Sequence, residues 1–129
     1  MKNVNFPADH QQIMPYLVIK NADGFIQFMQ EVFEAREKMK FKSDEETIAH
    51  AEITIGESVI MLSGDTKQLA PCTGGGFIYV PDADKTYDRA IKAGAVPVIP
   101  VKDNPYGRSG GFMDHFSNTW WVKTYRSNP

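Results

Sequence analysis

His50 and Glu52 lie two residues apart in Thr47-Ile48-Ala49-His50-Ala51-Glu52-Ile53-Thr54-Ile55, a run in which apolar and polar residues alternate. On a β-strand, residues i and i+2 share a face and stand roughly 6.5 Å apart along it. An imidazole and a carboxylate so placed could flank a substrate as base and acid, or half-coordinate a metal ion with His115 as third ligand. They could equally serve as hydrogen-bonding residues, or pair with Lys123 or Arg108 across a sheet. Tyr16, Phe77, Tyr79 and Trp121 fall at strand positions on the same face as this pair. They could stack on a planar ligand, or pack in a core or dimer interface. Tyr106-Gly107-Arg108 forms a Gly-bearing loop that could cover such a site, where the Arg108 fork could meet a carboxylate or phosphate or stay solvated. Cys72, beside Pro71, has no neighbouring base and does not read as a nucleophile.

The elements that must hold these residues occur twice. Sliding the chain so that Ile19 overlies Val80 brings Leu17-Val18-Ile19-Lys20-Asn21-Ala22-Asp23 over Ile78-Tyr79-Val80-Pro81-Asp82-Ala83-Asp84. Each stretch is an apolar strand entering a polar turn, and each precedes a helical pattern. Residues 1–12 are polar and patternless, a loose leader. Ile13 to Ile19 reads as a strand with Pro15 near its start. Asn21 or Asp23 can cap a helix whose apolar face is Phe25, Ile26, Met29, Val32 and Phe33. Arg36 to Lys42 reads as a half-exposed strand, and Thr47–Ile55 with Ser58–Leu62 as a hairpin closed by Gly56-Glu57. After a Gly- and Pro-rich linker the pattern returns. Phe77–Val80 is a strand, and a helix from about Ala83 stops at Gly94. A strand over Val96–Val101 is broken by Pro97 and Pro100, and a long turn spans Asp103–Gly107. A last hairpin pairs Gly110–Asp114 with Thr119–Tyr125. Gly74-Gly75-Gly76 is not a phosphate loop, because no Lys-Ser/Thr follows and a strand comes next.

This order predicts an α+β fold of two βαβββ modules forming a cupped mixed sheet. Module one covers 13–63, the linker 64–75 and module two 76–126, within a single domain over 13–129. Leu17, Ile19, Ala51, Ile53, Ile55, Ile78, Val80, Trp120 and Val122 form one apolar set suited to lie under the helices. The opposite face, with His50, Glu52 and the aromatics, suits a concave small-molecule pocket.

Composition narrows the function. The 129 residues are 42% hydrophobic and 23% charged, with net charge −2, a globular balance with no field to gather nucleic acid. The single cysteine excludes an intrachain disulfide. No signal-peptide pattern and no apolar run of the ~20 residues a membrane span needs is present, so a cytoplasmic protein is expected.

The run of Pro15-Tyr16-Leu17-Val18, His50-Ala51-Glu52-Ile53, Gly56-Glu57-Ser58-Val59-Ile60-Met61-Leu62, Ala93-Gly94-Ala95, Tyr106-Gly107-Arg108 and Asp114-His115-Phe116 resembles the vicinal oxygen chelate superfamily. This is the group of glyoxalase I, bleomycin-resistance and extradiol-dioxygenase proteins, and its PhnB-like branch is the nearer likeness. One departure is Asp114-His115-Phe116-Ser117, where relatives usually show Asp-Pro-Phe-Gly. The resemblance implies paired βαβββ modules and a homodimer. Its metal enzymes would place ligands near Met14, Gly75, Glu52 and Trp121, and only Glu52 can ligate, so no metal or other cofactor is expected. The expected function is metal-free binding of an aromatic or amphipathic small molecule, as bleomycin-resistance relatives sequester drugs. The alternatives are a metal-dependent lyase, isomerase or dioxygenase, and a metal-free acid/base enzyme using His50 and Glu52.

Overall fold

Both helices begin where the duplication places them, at Ala22 and Ala83, and both are capped from the residue before. The Asn21 side chain accepts from the Gly24 N–H at 3.1 Å, and Asp82 from the Lys85 N–H at 3.1 Å. Each cap satisfies an amide that the first helical turn leaves without a partner. The computed structural model describes residues 3–127. Its elements run β1 (Tyr16–Ile19), α1 (Ala22–Phe33), β2 (Arg36–Lys42), β3 (Ile48–Ile55), β4 (Ser58–Gly64), β5 (Gly75–Tyr79), α2 (Ala83–Lys92), β6 (Val96–Asn104), β7 (Gly107–Met113) and β8 (Thr119–Tyr125). The fold is α+β, with the βαβββ order present twice.

Each module builds its own four-stranded sheet, ordered β1-β4-β3-β2 and β5-β8-β7-β6. In each, the opening strand runs parallel to the closing one (β1 to β4, β5 to β8) and the other pairings are antiparallel. The chain divides into two compact units: Met1–Gln30 with Glu34–Cys72, and Glu31–Phe33 with Thr73–Pro129. The break at Cys72 falls inside the expected linker. No helix among the described residues is long and apolar enough to cross a membrane.

In the first unit, Ile19, Ala51, Ile53 and Leu62 on one sheet face and Phe25 and Met29 of α1 are fully buried. Burying each of the larger of these side chains contributes roughly 1.5–3 kcal/mol. In the second unit, Phe112 and Val122 are fully buried and Trp120 nearly so. Phe33 stacks on Phe112 at 6.1 Å between centroids and meets Trp120 edge-on at 5.6 Å.

Four local expectations are corrected. β1 begins at Tyr16 rather than Ile13; Pro15 stands just outside it, its carbonyl accepting from the Met61 N–H. Residues 3–12 carry no helix or strand, yet they are held down. The Gln11 side-chain amide donates to the Val59 carbonyl at 3.1 Å and accepts its N–H at 3.3 Å. It thereby satisfies β4 beyond the point where β1 starts, as a strand would. β6 runs unbroken through Pro97 and Pro100, because it is an edge strand with register shifts around both, where missing N–H groups cost the ladder little. The long turn shrinks to Pro105–Tyr106, and β7 starts at Gly107.

The atypical Asp114-His115-Phe116-Ser117 turn closes through Asp114, with Ser117 at φ 71°, left-handed backbone that glycine adopts without penalty. Ser117→Gly is therefore expected to raise stability by about 1 kcal/mol. Urea unfolding followed by tryptophan fluorescence measures it; a lower midpoint would mean that the serine side chain supports the turn.

Candidate functional site

The alternation of β3 sets His50 and Glu52 on one face, and the structure joins them directly. His50 Nε2 lies 3.0 Å from Glu52 Oε2, and the Tyr16 hydroxyl lies 3.2 Å from His50 Nδ1. The Tyr16 and His50 rings are 5.6 Å apart. On the other side of the carboxylate, His10 Nε2 meets Oε1 at 2.9 Å and Lys38 Nζ stands 3.4 Å from the same oxygen. Lys38 also pairs with Asp9 at 2.7 Å. Glu52 itself is only 7% exposed, so a nearly buried carboxylate is met by three nitrogen groups. The His50 hydrogen bond is the largest influence and holds the Glu52 carboxyl below its ordinary range, with His10 and Lys38 adding to it and burial opposing. The Asp9 carboxylate, and then Glu52, raise the Lys38 ammonium above its usual range. His10 and Lys38 also line a recess of about 520 Å³ with Asp9, Gln11 and Thr54.

The second unit carries an aromatic surface. Phe77, Tyr79, Trp121 and Tyr125 are all exposed. Phe77 lies opposite Trp121 in the β5–β8 register, and Phe77 and Tyr79 meet edge-on at 5.3 Å. Tyr79 meets Tyr125 edge-on at 6.3 Å, and these two line an open recess of about 680 Å³ with Val80, Pro81 and Thr124. Glycines shape this face. A Cβ on Gly75 would stand 3.0 Å from the Trp121 Cζ3, and one on Gly111 would stand 3.2 Å from its Cδ1. The indole thus lies across β8, its six-membered ring against the β5 backbone and its five-membered ring against that of β7. Gly76, on the opposite face, leaves room for Trp120, whose ring a Cβ there would strike. Two glycines of the triplet that is not a phosphate loop, Gly75 and Gly76, seat two successive tryptophans.

Of the residues singled out in the sequence, Tyr16, His50 and Glu52 come together in the first unit, and Phe77, Tyr79 and Trp121 in the second. Arg108 joins neither group. It shares a face with Thr124, whose hydroxyl accepts from the α2 amide Ala83, and it forks onto Asp84 at 2.7 and 3.2 Å. This pairing holds the Asp84 carboxyl below its ordinary range. Tyr106 sits exposed in the β6–β7 turn at φ 64°, and Lys123 donates to the Pro105 carbonyl rather than to Glu52 or His50. His115 rests its ring over Gly94 and beside Phe116. His10 and Asp9 escaped the sequence reading because residues 1–12 have no periodicity, and Lys38 because the register shift between Glu37 and Met39 that places it is not visible in the chain. The one signal in residues 1–12 is that they hold one of only three histidines.

At Glu52 the nitrogen groups meet the carboxylate itself rather than a shared position beside it. His10 and His50 direct their Nε2 atoms at different Glu52 oxygens rather than at a common point, and an ammonium stands beside one of those oxygens. Among the described residues, no group of three or more His, Cys, Asp or Glu is arranged to hold a metal ion.

No family model matches the chain. It is 29% identical over 120 residues to the uncharacterised protein Mb0911c of Mycobacterium bovis, across 84% of this chain and 79% of that protein. The uncharacterised protein Rv0887c of Mycobacterium tuberculosis shows the same identity, over 71% of its length. Among solved structures, TioX from Micromonospora sp. ML1 superposes with a TM-score of 0.73 at 20% identity, over 90% of this chain and 99% of that one. The fosfomycin resistance protein FosX from Mesorhizobium loti gives 0.65 at 19%, over 98% and 95%. A glyoxylase/bleomycin resistance protein/dioxygenase domain from Frankia sp. EAN1pec gives 0.66 at 18%, over 97% and 95%. The fold is thus the one shared by glyoxalase/bleomycin-resistance proteins.

Proposed function

We propose that this chain is a metal-free small-molecule-binding protein of the glyoxalase/bleomycin-resistance type that holds a planar aromatic ligand against the second unit's sheet. The observation that carries this reading is Trp121. Its indole spans the sheet between two glycines and remains 39% exposed. A large aromatic kept open to solvent forgoes burial that would stabilise the fold, and a ring laid over glycine backbones offers its face to a second ring. Phe77 lies opposite it in the register and meets Tyr79 edge-on, and the recess at Tyr79 and Tyr125 gives room for the rest of a ligand. The fold shared with a fosfomycin resistance protein supports a ligand-directed role.

The test is titration with a panel of bicyclic aromatics headed by 2-naphthol, read by tryptophan fluorescence and calorimetry. Trp121→Leu is expected to weaken binding at least about tenfold, since one stacked ring is worth roughly 0.5–1.5 kcal/mol beyond the area it buries. Trp120 stays in the core as a folding reporter. Equal affinity in Trp121→Leu, or no binding by any compound of the panel, would end the proposal.

A further inference from the structure

Around a neutral His50 ring, the Glu52 contact sets the order of the hydrogen bonds. An ionised carboxylate can only accept, so Nε2 donates to Glu52 and the neutral ring is left with a lone pair on Nδ1. The Tyr16 hydroxyl therefore donates to Nδ1 at 3.2 Å. Carboxylate, imidazole and hydroxyl follow one another in the order by which an oriented imidazole activates a hydroxyl group. The hydrogen bonds that lower the Glu52 carboxyl keep it anionic, as this order requires.

Tyr16 is 43% exposed, and its oxygen, in donating to Nδ1, retains its lone pairs as acceptors. Beyond this polar chain, its neighbours across the sheet are apolar. Met61 lies opposite Tyr16 in the β1–β4 register, Phe41 lies opposite His50, and Met39 lies opposite Glu52. Phe41 and Met39 are exposed. A weak acid with an apolar body fits this setting better than an anion, which would meet Glu52.

We propose that Tyr16 is the general base of a proton-transfer site in the first unit, with His50 and Glu52 as positioning residues. Its substrate is a small apolar carbon acid whose C–H is acidified by an adjacent carbonyl or heteroaromatic ring. In the step, the substrate C–H bond breaks and its electron pair stays on the substrate. The Tyr16 oxygen takes that proton while its own moves to His50 Nδ1, leaving an imidazolium against the Glu52 carboxylate. Return of the proton to carbon restores all three groups, so no oxidant or co-reactant is needed. This site is built from residues of the first unit and the stacking surface from residues of the second, and different variants test the two, so either can fail without the other.

The probe is 5-nitrobenzisoxazole, in which loss of the C3 proton breaks the ring N–O bond and gives a coloured cyanophenolate. The full chain is expected to exceed an equal concentration of free imidazole by about 100-fold or more, within the range of positioned acid–base groups. Tyr16→Phe keeps the ring and removes the oxygen. It should lower kcat at least about tenfold with little change in KM or melting temperature, the low end of what a positioned base supplies. His50→Gln should lower kcat in the same way, and the C3-deuterated probe should react more slowly with the wild type. A wild type no faster than imidazole would overturn the proposal, as would a Tyr16→Phe variant with wild-type kcat. Loss in His50→Gln alone would make His50 the base and remove Tyr16 from the role.

Discussion

Asp114→Ala should cost the protein about 4 kcal/mol, because four N–H groups converge on this one carboxylate. Oδ1 accepts from the backbone N–H groups of Phe116 and Asn118 at 2.8 and 2.9 Å, and Oδ2 from Asn118 Nδ2 at 3.1 Å and Trp120 Nε1 at 2.8 Å. Asp114 and Asn118 are buried, at 4% and 1% exposed, so water cannot replace what alanine removes. The loss extends beyond the turn. The Asn118 side-chain carbonyl accepts from the Gly74 N–H at the entry to β5, and Trp120 is a core ring of the second unit. Asp114→Asn separates geometry from mere size. It keeps one acceptor for the two backbone amides, but its NH₂ faces two other donors, so about half the loss is expected. Denaturant unfolding of both variants measures this. A change below about 1 kcal/mol in Asp114→Ala would show that the turn closes without its carboxylate.

Much of this architecture could be read from the chain because it rests on local patterns that the fold obeys. The repeat of Ala22-Asp23 in Ala83-Asp84 marks two helix starts, and both preceding residues, Asn21 and Asp82, cap them. The period-two alternation of β3 put His50 and Glu52 on one face, where they meet. What escaped depends on contacts remote in sequence. Pro97 and Pro100 look like breakers until β6 is known to be an edge strand, where a missing N–H harms nothing. Arg108 looks free in a Gly-bearing loop until β7 pairs with β8 and turns it toward Asp84. The leader shows no periodicity because single side chains hold it, Gln11 on Val59 and His10 on Glu52. Gly111 looks like an ordinary strand glycine until the Trp121 indole is seen above it.

Glu52→Gln should lower stability by about 2 kcal/mol at neutral pH and by progressively less in acid. The amide keeps the volume and one acceptor oxygen, but its NH₂ must face a nitrogen group of His10, His50 or Lys38. A hydrogen bond to a charged group is worth roughly 1.5–3 kcal/mol, and part of that is forfeited here. The pH course follows from the direction of the shift, since the native carboxyl lies below its ordinary range while the unfolded chain's does not. Between those two values the unfolded chain binds the proton first. The stabilisation is therefore complete above the ordinary carboxylate range and drains away as pH falls through the native value. Wild type and Glu52→Gln should diverge at neutrality and converge in acid, which paired denaturant titrations across that window measure. A difference that stayed constant through acid would mean that the negative charge of Glu52 does not hold its nitrogen partners. The order of donors from Tyr16 through His50 to Glu52 would then lose its anchor, because only an anionic carboxylate fixes the hydrogen on His50 Nε2 and leaves Nδ1 for the tyrosine.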